Sequence, residues 1–323
     1  MMNANFSEVI IVGAGAAGLF CAAQIGKRGK QVTVLDNGKK IGRKILMSGG
    51  GFCNFTNMEI SATRYISRNK HFVKSALARY TQWDFIGLVA DYGIPYHEKE
   101  AGQLFCDNGA QDIVNMLQSE CDKYKVNIRL RQQISQVEKN EQGFSLQANG
   151  QLWQCRSLII ASGGLSMPGL GATPFGYQIA EQFGINVIAP RAGLVPFTYR
   201  ETDKFLTALS CISLPVRVEF KHTAFQHNLL FTHRGLSGPA ILQISNYWQP
   251  NESVLIDLLP FHDIRHYIAE QRQSSPKLQL KTALMRLLPK KLVELWFERG
   301  LCKDETLSQL TKIQLEELDR LVH

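Results

Sequence analysis

No apolar run in this chain approaches the roughly 20 residues that a membrane-crossing helix needs; the longest are interrupted well short of it. Also missing is any Cys-x-x-Cys pair, and the seven cysteines (Cys21, Cys53, Cys106, Cys121, Cys155, Cys211 and Cys302) make an odd number. Neither a disulfide framework nor a structural zinc site is therefore indicated, no metal is expected, and most of the thiols read as small buried hydrophobes. Tandem repeats and low-complexity segments are lacking. Acids are the scarcer charge, 28 against 36 Lys and Arg, which leaves a net charge of +8. Such an excess permits a polyanionic partner without requiring one. No cationic, apolar leader is expected ahead of the first strand, so the expected compartment is the cytoplasm, with no membrane association. What remains is ordinary globular material, 45% hydrophobic and 20% charged, in 323 residues that can bury a core spread over two or three domains.

The most telling stretch is Val9-Ile10-Ile11-Val12 running into Gly13-Ala14-Gly15-Ala16-Ala17-Gly18. A short apolar strand breaks into Gly-x-Gly-x-x-Gly. Gly13 permits a tight turn, Gly15 lets backbone approach a pyrophosphate, and Gly18 lets the next helix pack closely on the sheet. A helix from about Ala16 to Lys27 aims its free N–H groups and positive dipole end at the anion. A second strand, Gln31 to Leu35, ends in Asp36, whose carboxylate suits ribose hydroxyls. The full unit of strand, helix, strand and acid marks a dinucleotide site; on its own it does not separate FAD from NAD.

Residues 37–58 show no helical or strand period and read as a long functional loop. Arg43, Lys44 and the Gly49-Gly50-Gly51 run suit contacts to phosphate and ring, since stacked N–H groups in glycine-rich backbone bind anions. Residues 70–91 read as one helix, and residues 110–123 as another. Leu104 to Cys106, Val126 to Leu130 and Gln133 to Val137 read as strands, and residues 144–148 and 151–155 as a hairpin around Asn149-Gly150. Ser157 to Ile160 reads as a buried strand ending in Ala161-Ser162-Gly163-Gly164, where ligands of open α/β sheets collect. A further Gly/Pro loop, Ser166 to Thr173, leads to a helix over 176–183. Short alternating strands over 195–260 are interrupted by the segment Phe231 to Pro239, and residues from Phe261 to Leu321 read as helical and rich in Lys and Arg.

Several of these pieces together resemble the BaiN/RdsA family of FAD-dependent oxidoreductases, also called YhiN-type flavoproteins. The carriers are Val12 to Gly18; Gly42-Arg43-Lys44-Ile45-Leu46-Met47-Ser48-Gly49-Gly50-Gly51; Cys53 to Asn57; Ala161 to Ser166; Gly193 to Pro196; and Phe231-Thr232-His233-Arg234-Gly235-Leu236-Ser237-Gly238-Pro239. The resemblance implies an α/β fold: a Rossmann-like FAD-binding domain over residues 1–194, a β-rich barrel-like domain over 195–260 and a helical domain over 261–323. It implies FAD contacts at Gly13, Ala14, Gly15, Ala16, Ala17, Gly18, Asp36, Asn37, Arg43, Lys44, Ser48, Gly49, Gly50, Gly51, Cys53, Asn54, Ile134, Ala161, Ser162, Gly163 and Gly164. Its nearest branch reduces a uridine of large-subunit (23S) ribosomal RNA to 5,6-dihydrouridine, with NADH or NADPH as electron donor. There are two departures. Position 52 is Phe where the family usually has Arg. The closing segment Gly-Glu…Gly-Gly-Tyr-Asn-x-Gln does not occur, so weaker FAD retention is expected.

The reaction this implies needs a protein acid for C5 of the uracil. Cys53, in the glycine-dense loop, and His233, in the turn after Phe231, are the candidates, on the grounds of their pKa values and positions. Three readings follow: an rRNA dihydrouridine synthase, a small-molecule flavin oxidoreductase acting on an enone or amine, and a binding module without redox turnover.

Overall fold

The computed structural model describes Asn5–His323, which divide into two compact units, the first ending at Ala189 and the second spanning Pro190–His323. In the first, the elements are β1 (Asn5–Val12), α1 (Ala16–Lys27), β2 (Val32–Leu35), α2 (Arg43–Met47), β3 (Asn54–Asn57), α3 (Lys74–Arg79), α4 (Gln82–Asp91), β4 (Tyr96–Glu98), β5 (Gln103–Cys106), α5 (Gln111–Lys123), β6 (Asn127–Arg129), β7 (Ile134–Asn140), β8 (Gly143–Ala148), β9 (Gln151–Ile160) and α6 (Phe175–Gln182). A six-stranded sheet runs β6-β2-β1-β9-β8-β7. Its first four strands are parallel, and β8 and β7 follow β9 as antiparallel neighbours.

Both faces of β1 are covered, which explains its unbroken apolar run. Val9 and Ile11 point to one face and pack with Leu19 and Ala22 of α1 and Val114 and Leu117 of α5. Ile10 and Val12 point to the other, with Trp153, Val137 and the α6 residues Phe175 and Ile179. The chain leaves β1 toward β2 on one side and returns through β9 on the other. That reversal opens a crevice beyond the carboxyl ends of β1 and β9, where α/β sheets bind ligands.

Three expectations about local structure are corrected. Residues 37–58 are not one loop: they hold α2, a 3₁₀ turn over Ser48–Gly51 and β3. The helix α2 spans five residues, too short to show a period, and β3 exists only because it pairs with β5, far along the chain, in a small β3-β5-β4 sheet. The expected helix over 70–91 is split into α3 and α4. Thr81 caps α4 by accepting from the Asp84 N–H while the Asp84 carboxylate takes the Thr81 N–H, a reciprocal box that starts a new helix. Finally, residues 151–155 and 157–160 form one continuous β9, whose last three residues are half-buried rather than buried.

The second unit contains β10 (Phe197–Thr198), β11 (Ser213–Phe220), β12 (Thr223–Phe231), β13 (Gly235–Ser237), α7 (Pro239–Ile244), β14 (Leu255–Asp257), α8 (Ile264–Ser274), α9 (Leu280–Leu284), α10 (Lys290–Glu298) and α11 (Lys312–Val322). Its five-stranded antiparallel sheet has the order β10-β13-β12-β11-β14. One core serves the strands and the helices alike. Val216, Val218 and Leu229 of the sheet pack with Ile241 and Ile244 of α7 and with Ile264, Leu292, Trp296 and Val322 of the later helices. The chain's end is bonded into the same unit, with the Leu258 N–H donating to Val322 O at 2.8 Å and His323 Nδ1 lying 2.8 Å from Asp257 Oδ1.

The β-rich and helical segments of this unit share one core, so they are expected to unfold together. Ile244→Ala, at a fully buried position, should cost about 2–5 kcal/mol. It should lower hydrogen-exchange protection in β12 and α8 together; protection lost in one and retained in the other would contradict a common core.

Candidate functional site

The crevice beyond β1 and β9 opens into a cavity of about 720 Å³ lined only by residues of the first unit. Its floor is the glycine turn. Gly13 has φ +114°, and a Cβ there would fall 2.3 Å from Ala161 O, so only glycine lets the two strand ends meet. Two backbone bonds lock the approach, Ala161 N–H to Val12 O and Gly13 N–H to Leu35 O, both 2.8 Å. Gly18 serves the helix: a Cβ there would sit 1.8 Å from Gly13 O. By contrast, a Cβ on Gly15 would meet nothing within 4 Å, because the space beside it is the cavity. The helix α1 starts at this point with no side-chain cap and no acid in its first turn. Its leading N–H groups, in Ala16 and Ala17 on the cavity wall, are left for an anion.

Asp36 does more than wait for a ribose. Its Oδ2 accepts the Ala14 N–H at 2.7 Å and its Oδ1 the Gly38 N–H at 2.6 Å, so the carboxylate pins the glycine turn to the end of β2. Arg43 Nη2 stands 3.5 Å from the same carboxylate and donates to Asn37 Oδ1 at 3.0 Å. Lys44 turns the other way, its Nζ donating to Gly164 O at 2.9 Å and to Ser166 Oγ at 3.3 Å. Gly42, at φ +65°, begins α2 and donates its N–H to Ala14 O, tying this segment to the glycine turn.

Two polar groups on the wall are buried and without a partner among the described residues: Gln132 Oε1 and Ser162 Oγ. A desolvated acceptor and hydroxyl left unpaired cost about 1–3 kcal/mol each unless a ligand satisfies them. Cys53 also lines the wall. It is buried and held at φ +53°, in the left-handed region that non-glycine residues rarely adopt and that clusters at functional sites. Burial pushes its thiol pKa up, and a hydrogen bond from Ser48 partly opposes this.

Of the residues expected from sequence, Gly13 to Ala17, Asp36, Asn37, Arg43, Lys44, Ser48, Cys53, Asn54, Ile134 and Ala161 to Gly163 line the cavity. Gly18, Gly49, Gly50, Gly51 and Gly164 do not line it, and Gly49 and Gly50 are exposed. Gly49 is packed against the Phe105 ring and the Asn54 N–H, and Gly164 contributes its carbonyl to Lys44. His233 belongs to the second unit, exposed in the turn between β12 and β13. Sequence reasoning missed Lys40, Phe55, Tyr80, Phe85, Gln132, Gln133 and Leu170 to Thr173, and apolar residues of the surrounding strands and helices line the rest. The signal in Tyr80 and Phe85 was aromatic spacing, which reads as plain core. They do pack, Tyr80 edge-on to Phe20 at 4.8 Å and Phe85 on Phe55 at 6.0 Å, and still present a face to the cavity.

The glycine cradle open at Gly15, the uncapped helix start and the orphaned Ser162 and Gln132 atoms fit a dinucleotide as large as FAD, and the volume lies in the range of cofactor sites.

Residues 7–238 match the Rossmann-domain profile of the HI0933-like proteins, and residues 191–323 match that family's barrel and H2TH domain. The chain belongs to the HI0933-like family. A ribosomal RNA dihydrouridine synthase of Haemophilus influenzae is 67% identical over 324 residues, covering 99% of this chain and 81% of that protein. One from Escherichia coli K12 is 56% identical, with 94% and 76% covered. A 3-dehydro-bile acid delta(4,6)-reductase of Clostridium scindens is 25% identical, with 97% and 80% covered. Within this HI0933-like chain, no helix of the described residues is long and apolar enough to cross a membrane. Four of its cysteines are buried and none of the seven forms a disulfide.

Asp36→Ala orphans the Ala14 and Gly38 amides and loosens the glycine turn, so the flavin-to-protein absorbance ratio after purification should fall severalfold. Asp36→Asn keeps one acceptor oxygen and should fall less. Full flavin occupancy in the alanine variant would contradict this role.

Proposed function

We propose that the chain is an FAD-dependent oxidoreductase that converts a uridine of 23S ribosomal RNA to 5,6-dihydrouridine, with NADH or NADPH as the electron source. The observation that carries this is the 67% identity to the Haemophilus influenzae ribosomal RNA dihydrouridine synthase across 99% of this chain. The cavity supports it, being built for a dinucleotide. An RNA substrate puts the enzyme's work in the cytoplasm.

Gly13, Gly15 and the amides of Ala16 and Ala17 would hold the pyrophosphate. Asp36 would keep the turn closed and offer its remaining lone pairs to the ribose. Arg43, with its charge beside Asn37, would face phosphate or ring. Ser162 and Gln132 would satisfy their unpaired atoms on the ligand. When bound, reduced FAD supplies the hydride that C6 of the uracil receives as the C5–C6 double bond is lost. The protein then owes one proton, at C5. Cys53 is the proposed donor: it lines the cavity, and burial holds its thiol protonated at neutral pH. His233 is the second candidate, resting on the Thr-His-Arg-Gly-Leu-Ser-Gly-Pro motif that it belongs to.

The bile-acid reductase relative favours a second reading, in which the same cavity reduces a small conjugated carbonyl compound. Purified FAD-loaded protein, NADPH and large-subunit rRNA from cells lacking the modification distinguish the two. Dihydrouridine is expected in the nucleoside digest. Cys53→Ala should still bleach with NADPH but form dihydrouridine about 10²-fold more slowly. Wild-type bleaching without dihydrouridine would favour the small-molecule reading, and an unimpaired Cys53→Ala would remove the thiol as donor.

A further inference from the structure

Residues 60–83 contain five Lys or Arg and no Asp or Glu, which accounts for five of the chain's eight net positive charges. The segment is a 3₁₀ turn over Ala62–Arg64, a stretch of bends and turns and the helix α3, ending at the start of α4. Arg64, Arg68, Lys70, Lys74 and Arg79 are all exposed, and among the described residues only Arg64 has an ion-pair partner, Glu59 at 3.5 Å. Large rings stand out between these charges. Phe72 is 73% exposed, Trp83 56% and Tyr65 45%, values at which a buried-core role is ruled out. The carboxylates flanking the segment are Glu59, which pairs with Arg64, and Asp84, which is engaged in the Thr81 cap, so the remaining cations and rings fit a partner that both stacks and carries negative charge.

The same segment reaches the cavity: Tyr80, between Arg79 and Trp83, lines it, as does Phe85 one turn further. We infer that residues 62–83 are a docking surface for single-stranded RNA flanking the target base. Phosphates meet Arg68, Lys70 and Lys74, neighbouring bases stack on Phe72 and Trp83, and the strand is led toward the Tyr80 and Phe85 side of the cavity. Single-stranded nucleic acid is recognised by such alternation of cations and ring faces. A membrane surface fits less well, because α3 is only six residues long and buries none of them, and so presents no amphipathic helix to lipid. This inference rests on the RNA-modifying reading above and locates its substrate contact.

The test uses the FAD-loaded full chain and a fluorescent 15-nucleotide uridine-containing RNA, followed by anisotropy from 50 to 200 mM salt. The triple variant Arg68→Glu/Lys70→Glu/Lys74→Glu should bind at least tenfold more weakly at 50 mM. Its log–log salt slope should be shallower by about 2, since each single-strand phosphate contact contributes about 0.7. Phe72→Ala and Trp83→Ala should each weaken binding about tenfold with the salt slope unchanged, because stacking releases no counterions. Flavin occupancy and bleaching by NADPH, unaltered in every variant, show that the fold and cofactor site are intact. Wild-type RNA binding that the triple variant preserves overturns this surface and leaves the proposed function standing. A wild-type chain that binds phosphatidylserine vesicles but no RNA overturns this inference and the RNA-modifying reading together.

Discussion

Everything at the cavity depends on how closely the end of β1 approaches the end of β9. Gly13 and Ala161 meet with no room for a methyl group, and the bond from Ala161 N–H to Val12 O holds them there. That contact fixes the start of α1, and hence the direction of its unpaired N–H groups. It also fixes where Ser162 and Gly163 leave the sheet. A single added carbon would push the strand ends apart and move the anion-binding turn and the returning strand together. The glycine motif is therefore a packing constraint first and a ligand contact second.

The second constraint is electrostatic. Asp36 lies between a glycine turn that needs an acceptor and Arg43, whose positive charge joins those of Lys40 and Lys44 on the wall. One carboxylate thereby orders two segments that are 22 residues apart. Arg43 and Lys44 are adjacent in sequence but serve opposite sides: one is directed to Asp36 and Asn37, the other to the Gly164 carbonyl. Such divergence lets a five-residue helix tie the first βα unit to the returning strand. Cys53 shows a related economy. Its left-handed backbone is part of the turn into β3, and the same turn sets the thiol on the cavity wall.

What was legible in the sequence follows from the range of the forces involved. The bounds of α1, Ala16–Lys27, could be read directly because strand, glycine turn and helix start are all decided within a few residues. The small sheet could not, because β3 is four polar or aromatic residues whose partner β5 begins at Gln103. The break at Thr81 was visible in principle as Thr-x-x-Asp, but the continuing apolar spacing masked it. Among the cavity-lining residues, Gly13, Gly15 and Asp36 were legible in the sequence, whereas Gly42 and Gly171, which line the same cavity at positive φ, were not singled out. Nor were Gln132, Tyr80 and Phe85, since a glutamine or an aromatic beside a cavity has the same local signature as one on a surface or in a core. The glycines of Ser48–Gly51 were read as direct contacts, whereas Gly49 is spent on packing under Phe105. A glycine run tells that backbone is close to something; only the tertiary structure tells to what.

On this reading the cavity serves the reduction of a ribosomal uridine. The most direct measurement is mass spectrometry of nucleosides from 23S rRNA of cells in which the corresponding gene is deleted and this chain is supplied in its place. Dihydrouridine lost on deletion and restored by the wild-type chain, but not by Gly13→Val, is the predicted result. Dihydrouridine that is unchanged by the deletion would contradict the claim.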